Sequence, residues 1–140
     1  MTSSDIIQLA ILFVTVVALL WSQYSDRQQR KLSMFAEYTK RYQDIILLMP
    51  DNVLMGTADV KTDVLKHLQL YFDLCSEEYY LWQQGFVPCH IWQLWSEGMQ
   101  ITMQNPVFRK SWDKLSHQYS KIFRKYFDDK IMVDSTIDAQ

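Results

Sequence analysis

The 140-residue sequence predicts an all-α protein, with an N-terminal transmembrane helix continuing through a polar stalk into a small antiparallel bundle of about four helices. Three observations carry this expectation. Ile6 to Trp21 form one apolar run, interrupted by Gln8 and Thr15 and free of charge. Apolar residues beyond it recur at steps of three and four, the period of a helix with one buried face. The three prolines and three glycines, Pro50, Gly56, Gly85, Pro88, Gly98 and Pro106, cut the body into four segments. No segment offers a strand signal worth defending.

The apolar run is the anchor. Sixteen residues give about 24 Å of helix, and Ser3, Ser4 and Ser22 to Tyr24 extend the element to roughly the 30 Å of a hydrocarbon core. A secretory signal would open on basic residues and close on small ones, whereas this chain opens Met-Thr-Ser-Ser-Asp and leaves the run through Leu19, Leu20 and Trp21. A buried core helix can be equally apolar, but a helix apolar on every face belongs in a membrane or deep inside a much larger protein. The expected anchor and interface residues are Ile6, Gln8, Thr15, Trp21, Tyr24, Arg27, Arg30 and Lys31, with Trp21 and Tyr24 where amphipathic rings prefer the headgroup layer. Gln8 and Thr15 lie seven apart, and therefore on one face.

Orientation follows from the cations. None precede the run, while Arg27, Arg30, Lys31, Lys40 and Arg41 follow it, so the body is expected in the cytoplasm and the N-terminus outside the cell (inner) membrane. The organisation expected is therefore an anchor over residues 1–24, a polar basic stalk over 25–33, a helical bundle over 34–130 and a frayed acidic tail over 131–140.

With no breaker before Pro50, the first helix is expected to run unbroken into the bundle, where Phe35, Tyr38, Tyr42, Ile45 and Met49 make its stripe. A second helix is expected from a cap at Thr57 or Asp59 to Gly85, burying Val60, Val64, Leu68, Tyr71, Cys75, Tyr79 and Trp82. Pro88 suits the first turn of a third, with Ile91, Leu94, Trp95, Ile101 and Thr102 inside and Gly98 marking a close approach of another backbone or ring. Pro106 opens a fourth, burying Phe108, Trp112, Leu115, Tyr119, Ile122 and Tyr126. Four of five tryptophans, seven of eight tyrosines and six of seven phenylalanines lie beyond residue 33, so the core is expected to be aromatic. Rings bury large areas per residue, which suits a small domain, although an aromatic cofactor cage is the sharper alternative.

Cys75 and Cys89 are expected to be free thiols on the reducing side of the membrane. They do not combine with His67, His90 and His117 into a metal site, because no C-x2-C or H-x3-H spacing occurs. No cofactor is implied. Charge is polarised although the total is −2: residues 43–98 hold eight acidic and two basic side chains, and residues 99–130 hold seven basic and three acidic. Such poles suit either neighbouring helices within one copy or contact between copies. A nucleic-acid partner is disfavoured, since Asp113, Asp128 and Asp129 interrupt the basic segment.

There is no phosphate-binding glycine loop, no G-x-S-x-G and no H-E-x-x-H. Arg109 and His117, in Arg-Lys-Ser-Trp-Asp-Lys-Leu-Ser-His, resemble the pair of HEPN ribonucleases, helical proteins in which an R-x4–6-H motif from two protomers makes a composite site. Seven residues intervene here, and Lys110 stands where a polar residue is expected. The resemblance implies a membrane-tethered ribonuclease as one alternative.

The layout of anchor, stalk and aromatic helical domain, with Phe35-Ala36-Glu37-Tyr38-Thr39 and Trp92-Gln93-Leu94-Trp95-Ser96-Glu97-Gly98-Met99, resembles small bacterial single-pass membrane-anchored proteins. In layout it is also distantly similar to the small membrane accessory protein of RNA-targeting CRISPR systems, a family that assembles into a multimeric pore. That likeness implies a pore-forming or membrane-perturbing effector, with antiviral defence as its setting, and carries no residue-level correspondence. The residues themselves favour a non-enzymatic, cytoplasm-facing scaffold that self-associates or recruits a protein partner.

Overall fold

The computed structural model describes residues 2–133, and among these the chain is all-helical, without strands. Helix α1 spans Ser3–Leu48, α2 Asp51–Leu54, α3 Thr62–Gln83, α4 Cys89–Thr102, α5 Pro106–Leu115 and α6 Lys121–Tyr126. A 3-10 turn, Ser116–Gln118, separates α5 from α6, and a π-helical turn, Phe127–Ile131, follows α6. The chain divides into two compact units between Glu37 and Tyr38, with α1 contributing to both.

The first unit is one continuous helix. It starts where the Asp5 carboxylate accepts the Thr2 N–H at 2.9 Å, satisfying one of the donors that a helix start leaves open. No residue of α1 is buried. The helix is long and apolar enough to cross a membrane.

The second unit begins with the last turns of α1, which stop one residue short of Met49 and two short of Pro50. Residues before a proline are pushed out of the helical region, and Met49 turns into the core instead. The single turn α2 closes on Gly56 at φ +75°, with Gly56 N–H bonding Val53 O at 3.1 Å and Thr57 N–H bonding Asn52 O at 2.9 Å. An added Cβ at Gly56 would stand 3.2 Å from Asn105 Oδ1 and Pro106 Cδ, so both conformation and space call for glycine. Helix α3 closes the same way on Gly85, with Phe86 N–H on Leu81 O and Gly85 N–H on Trp82 O, both at 2.9 Å.

Helix α3 starts at Thr62, later than Thr57 or Asp59. The turn after Gly56 holds both Thr57 and Ala58 N–H groups on Asn52 O, and Lys61 N–H bonds Asp59 O, so this stretch is spent on turns. Of its expected stripe, Leu68, Tyr71, Cys75 and Tyr79 are buried, joined by Phe72 and Leu74. The core continues through Trp92, Met99, Met103, Val107, Phe108, Trp112, Leu115, Phe123 and Phe127. It is as aromatic as the composition suggests: Phe72 meets Trp112 at 5.0 Å between ring centroids, and Trp112 meets Phe127 at 4.3 Å.

Two stripes sit differently from the sequence expectation. On α4, Leu94 and Ile101 face outward at 59% and 74% exposure, while Trp92 and Met99, with Met103 at the C-cap, face in. Trp92 sets the rotation, stacking on Trp82 at 4.8 Å with the rings 6° from parallel and donating Nε1–H to Tyr126 Oη at 3.0 Å. Gly98 consequently lies exposed, with no atom beyond its own stretch of helix within 4 Å of where a Cβ would stand, so no close approach explains it.

The expected fourth helix is broken. After the 3-10 turn, Tyr119 is extended at φ −97°, ψ 159°, and Ser120 restarts the helix by accepting Phe123 N–H on its Oγ. The break shifts the buried phase by one residue, so that Phe123 and Phe127 are buried while Ile122 is exposed. The wide turn after α6 then buries Ile131, one residue beyond the Lys130 boundary expected for the packed domain. Residues 134–140 of the expected acidic tail lie outside the described residues.

Candidate anchor and interaction surfaces

The candidate anchor residues form a continuous exposed apolar surface on α1. Ile6, Leu12, Phe13, Val14, Leu19 and Leu20 are all exposed, and so are Trp21 and Tyr24. In water this would be an apolar surface without compensation. Thr15 hides its hydroxyl by donating to Ile11 O at 2.8 Å, the back-bond that lets a threonine sit in an apolar helix. Gln8 is exposed on the same face. Tyr24 Oη accepts Gln28 Nε2–H at 3.1 Å, pairing a ring suited to the headgroup layer with the first polar turn after it. Arg27, Arg30 and Lys31 are exposed.

The second unit holds an electrostatic cluster that the apolar stripes do not reveal. Arg41 grips Glu77 in a two-pronged pair, Nη1 to Oε2 at 2.7 Å and Nη2 to Oε1 at 3.2 Å, and its guanidinium lies 5.0 Å from the Tyr38 ring centroid. Tyr38 Oη donates to the same Glu77 Oε2 at 3.3 Å. The Arg41 hydrogen bonds hold the Glu77 carboxyl below its ordinary range. Next to it, Glu78 is 7% exposed, and burial pushes its carboxyl up to about 8 against the pull of Arg41. The signal was present in the sequence: Glu78 is seven residues from Tyr71 and four from Trp82, at the spacing of the buried stripe.

Arg109 and His117 have separate surroundings. Half-buried Arg109 donates Nε–H to Met103 O at 2.8 Å and Nη2–H to Met132 O at 3.3 Å, tying the end of α4 to the last described turn. His117 is exposed in the 3-10 turn. Cys75 is buried and Cys89 exposed, both as free thiols, and the described residues include no cluster of three or more metal-ligating side chains. The aromatic groups fill one another's space: Tyr79, Trp82, Trp92 and Tyr126 pack with centroid separations of 4.8 to 6.1 Å.

Neither Arg41–Glu77 nor Lys125–Asp129 joins the acidic pole to the basic one. The first links α1 to α3, and the second is a local contact between residues four apart. Lys110, Lys114 and Lys121 are exposed, and Lys114 Nζ donates to a backbone carbonyl, Val60 O, at 3.3 Å. Leu94 and Ile101 add an apolar strip on α4.

These features define a helical protein with an exposed apolar N-terminal helix and a compact, aromatic C-terminal unit. No family model, curated protein or solved structure matches the chain.

Proposed function

We propose that this protein is a single-pass, membrane-anchored helical scaffold whose C-terminal unit faces the cytoplasm and which self-associates or recruits a protein partner without catalysing a reaction. The observation that carries the reading is the run from Ile6 to Trp21, exposed on every side of α1. A bilayer removes that surface from water and satisfies none of the backbone, which the helix satisfies itself. The cations Arg27, Arg30 and Lys31 support a cytoplasmic body.

The body is read as an antiparallel bundle. Tyr38 meets Glu77 and Tyr42 meets Tyr71, so residue numbers rise along α1 as they fall along α3. The polarised charge and the outward strip on α4 favour contact with other proteins, and tethering to a plane raises the effective concentration of weak partners. The engagement of Arg109 with two backbone carbonyls supports a structural role for that side chain over a nuclease one.

Alkaline extraction of membranes, combined with reporter fusions at residues 2 and 140, tests this reading. The expected result is a chain that stays with the membrane pellet and a C-terminal reporter active in the cytoplasm. Release into the soluble fraction, or a C-terminal reporter active only outside the cytoplasm, would overturn it.

A further inference from the structure

Four polar residues of the N-terminal helix share one period, and two of them are the polar residues inside its apolar run. Gln8, Thr15, Ser22 and Gln29 recur every seven residues, and Ser4, Ile11, Ala18, Ser25 and Leu32 interleave with them at steps of three and four. Together they form one continuous seam along the first unit, at the period on which helices supercoil left-handed around each other. Both polar residues of the apolar run fall on it.

The remaining faces are sorted accordingly. Leu9, Phe13, Val16 and Leu20 lie on the side away from the seam, where bulky apolar groups meet lipid. Arg27, Arg30 and Lys31 also take the outward positions, so parallel copies meeting on the seam keep these like charges apart. Leu32, in contrast, is an apolar side chain in an otherwise polar stretch, 70% exposed, and it falls on the seam.

We infer that this seam is a docking surface for a second copy of the same helix, in parallel; the inference rests on the self-association proposed above and names its interface. The occupant follows from chemistry. Gln8 is exposed on a helix that is to lie in lipid, where an amide needs a partner for both its donor and its acceptor. Copies inserted in one direction carry Gln8 at one depth, and an amide is complementary to itself. The small side chains of Ala18, Ser22 and Ser25 let the two backbones approach, and Leu32 closes the contact in water.

The test is a cysteine scan of the full chain in lipid vesicles, in a Cys89→Ser background, with oxidative crosslinking and with the mass of the uncrosslinked oligomer measured in parallel. Single cysteines at Ala18, Ser22 and Ser25 are expected to crosslink severalfold more than cysteines at Leu20, Gln23 and Arg27. Gln8→Leu with Thr15→Val, which keeps the helix apolar, is expected to lower the oligomer fraction. An oligomer whose crosslinks do not follow the seam, or which ignores the double substitution, would overturn this interface while leaving self-association standing. A wild-type chain that is monomeric would overturn both.

Discussion

Asn105 reaches back 52 residues to Val53, donating Nδ2–H to its carbonyl at 2.9 Å. The same amide donates to Leu54 O at 3.1 Å, while its Oδ1 accepts Val107 N–H at 2.9 Å. One side chain therefore caps the end of α2 and the start of α5. Asn105→Ala is expected to destabilise the second unit by about 2 kcal/mol, the upper end for loss of a cap, because the bonds to Val53 O and Leu54 O are lost together with the cap. Denaturant unfolding followed by tryptophan fluorescence checks this.

The phase shift after the 3-10 turn separates two neighbours on α6. Phe123→Ala empties a buried site and is expected to cost about 3 kcal/mol or more. Ile122→Ala removes an exposed side chain and is expected to stay within about 0.5 kcal/mol. Equal effects in the same unfolding assay would contradict the break in the helix.

Glu78 gives stability a specific pH dependence. Its carboxyl rises from an ordinary 4.5 to about 8 on folding, so the folded state binds the proton more tightly. The contribution is complete below pH 4.5, falls as pH rises and levels off above about 8. Glu78→Gln, neutral throughout, is expected to flatten the fall in melting temperature over that window. A profile identical to wild type would contradict burial as the dominant influence on this group.

The thiols differ in access. Cys89 is expected to react with a maleimide in the native protein, while Cys75 stays protected until the unit unfolds, because it is buried and burial also pushes its thiol well above the ordinary range. Mass spectrometry of labelled native and denatured chain reads this directly.

Much of the architecture was legible because long-range order here follows strong local signals. The breaker-free stretch to Pro50 makes α1, Gly85 at φ +79° ends α3, and Pro106 starts α5 after the Asn105 cap. What was not legible depends on competition between large side chains. Ile91, Leu94 and Ile101 offered one apolar face of α4, and the Trp92 ring, held by Trp82 and Tyr126, won the interior for another. The break at Ser116–Gln118 carries neither glycine nor proline. Its signal is the serine cap at Ser120, which is weak until Phe123 and Phe127 are seen to fill the core. Arg41–Glu77 was hidden because pairing across 36 residues leaves no local pattern.

The central claim is that the anchor and the helical body together make an assembling, membrane-held scaffold. It is tested most directly by the protein mass in detergent, by light scattering with the detergent contribution subtracted, of the full chain and of a chain beginning at Met34. The account predicts a defined oligomer for the full chain and a lower mass per particle, relative to chain mass, once residues 1–33 are removed. Monomers in both cases would contradict self-association and leave a tethered docking module in its place.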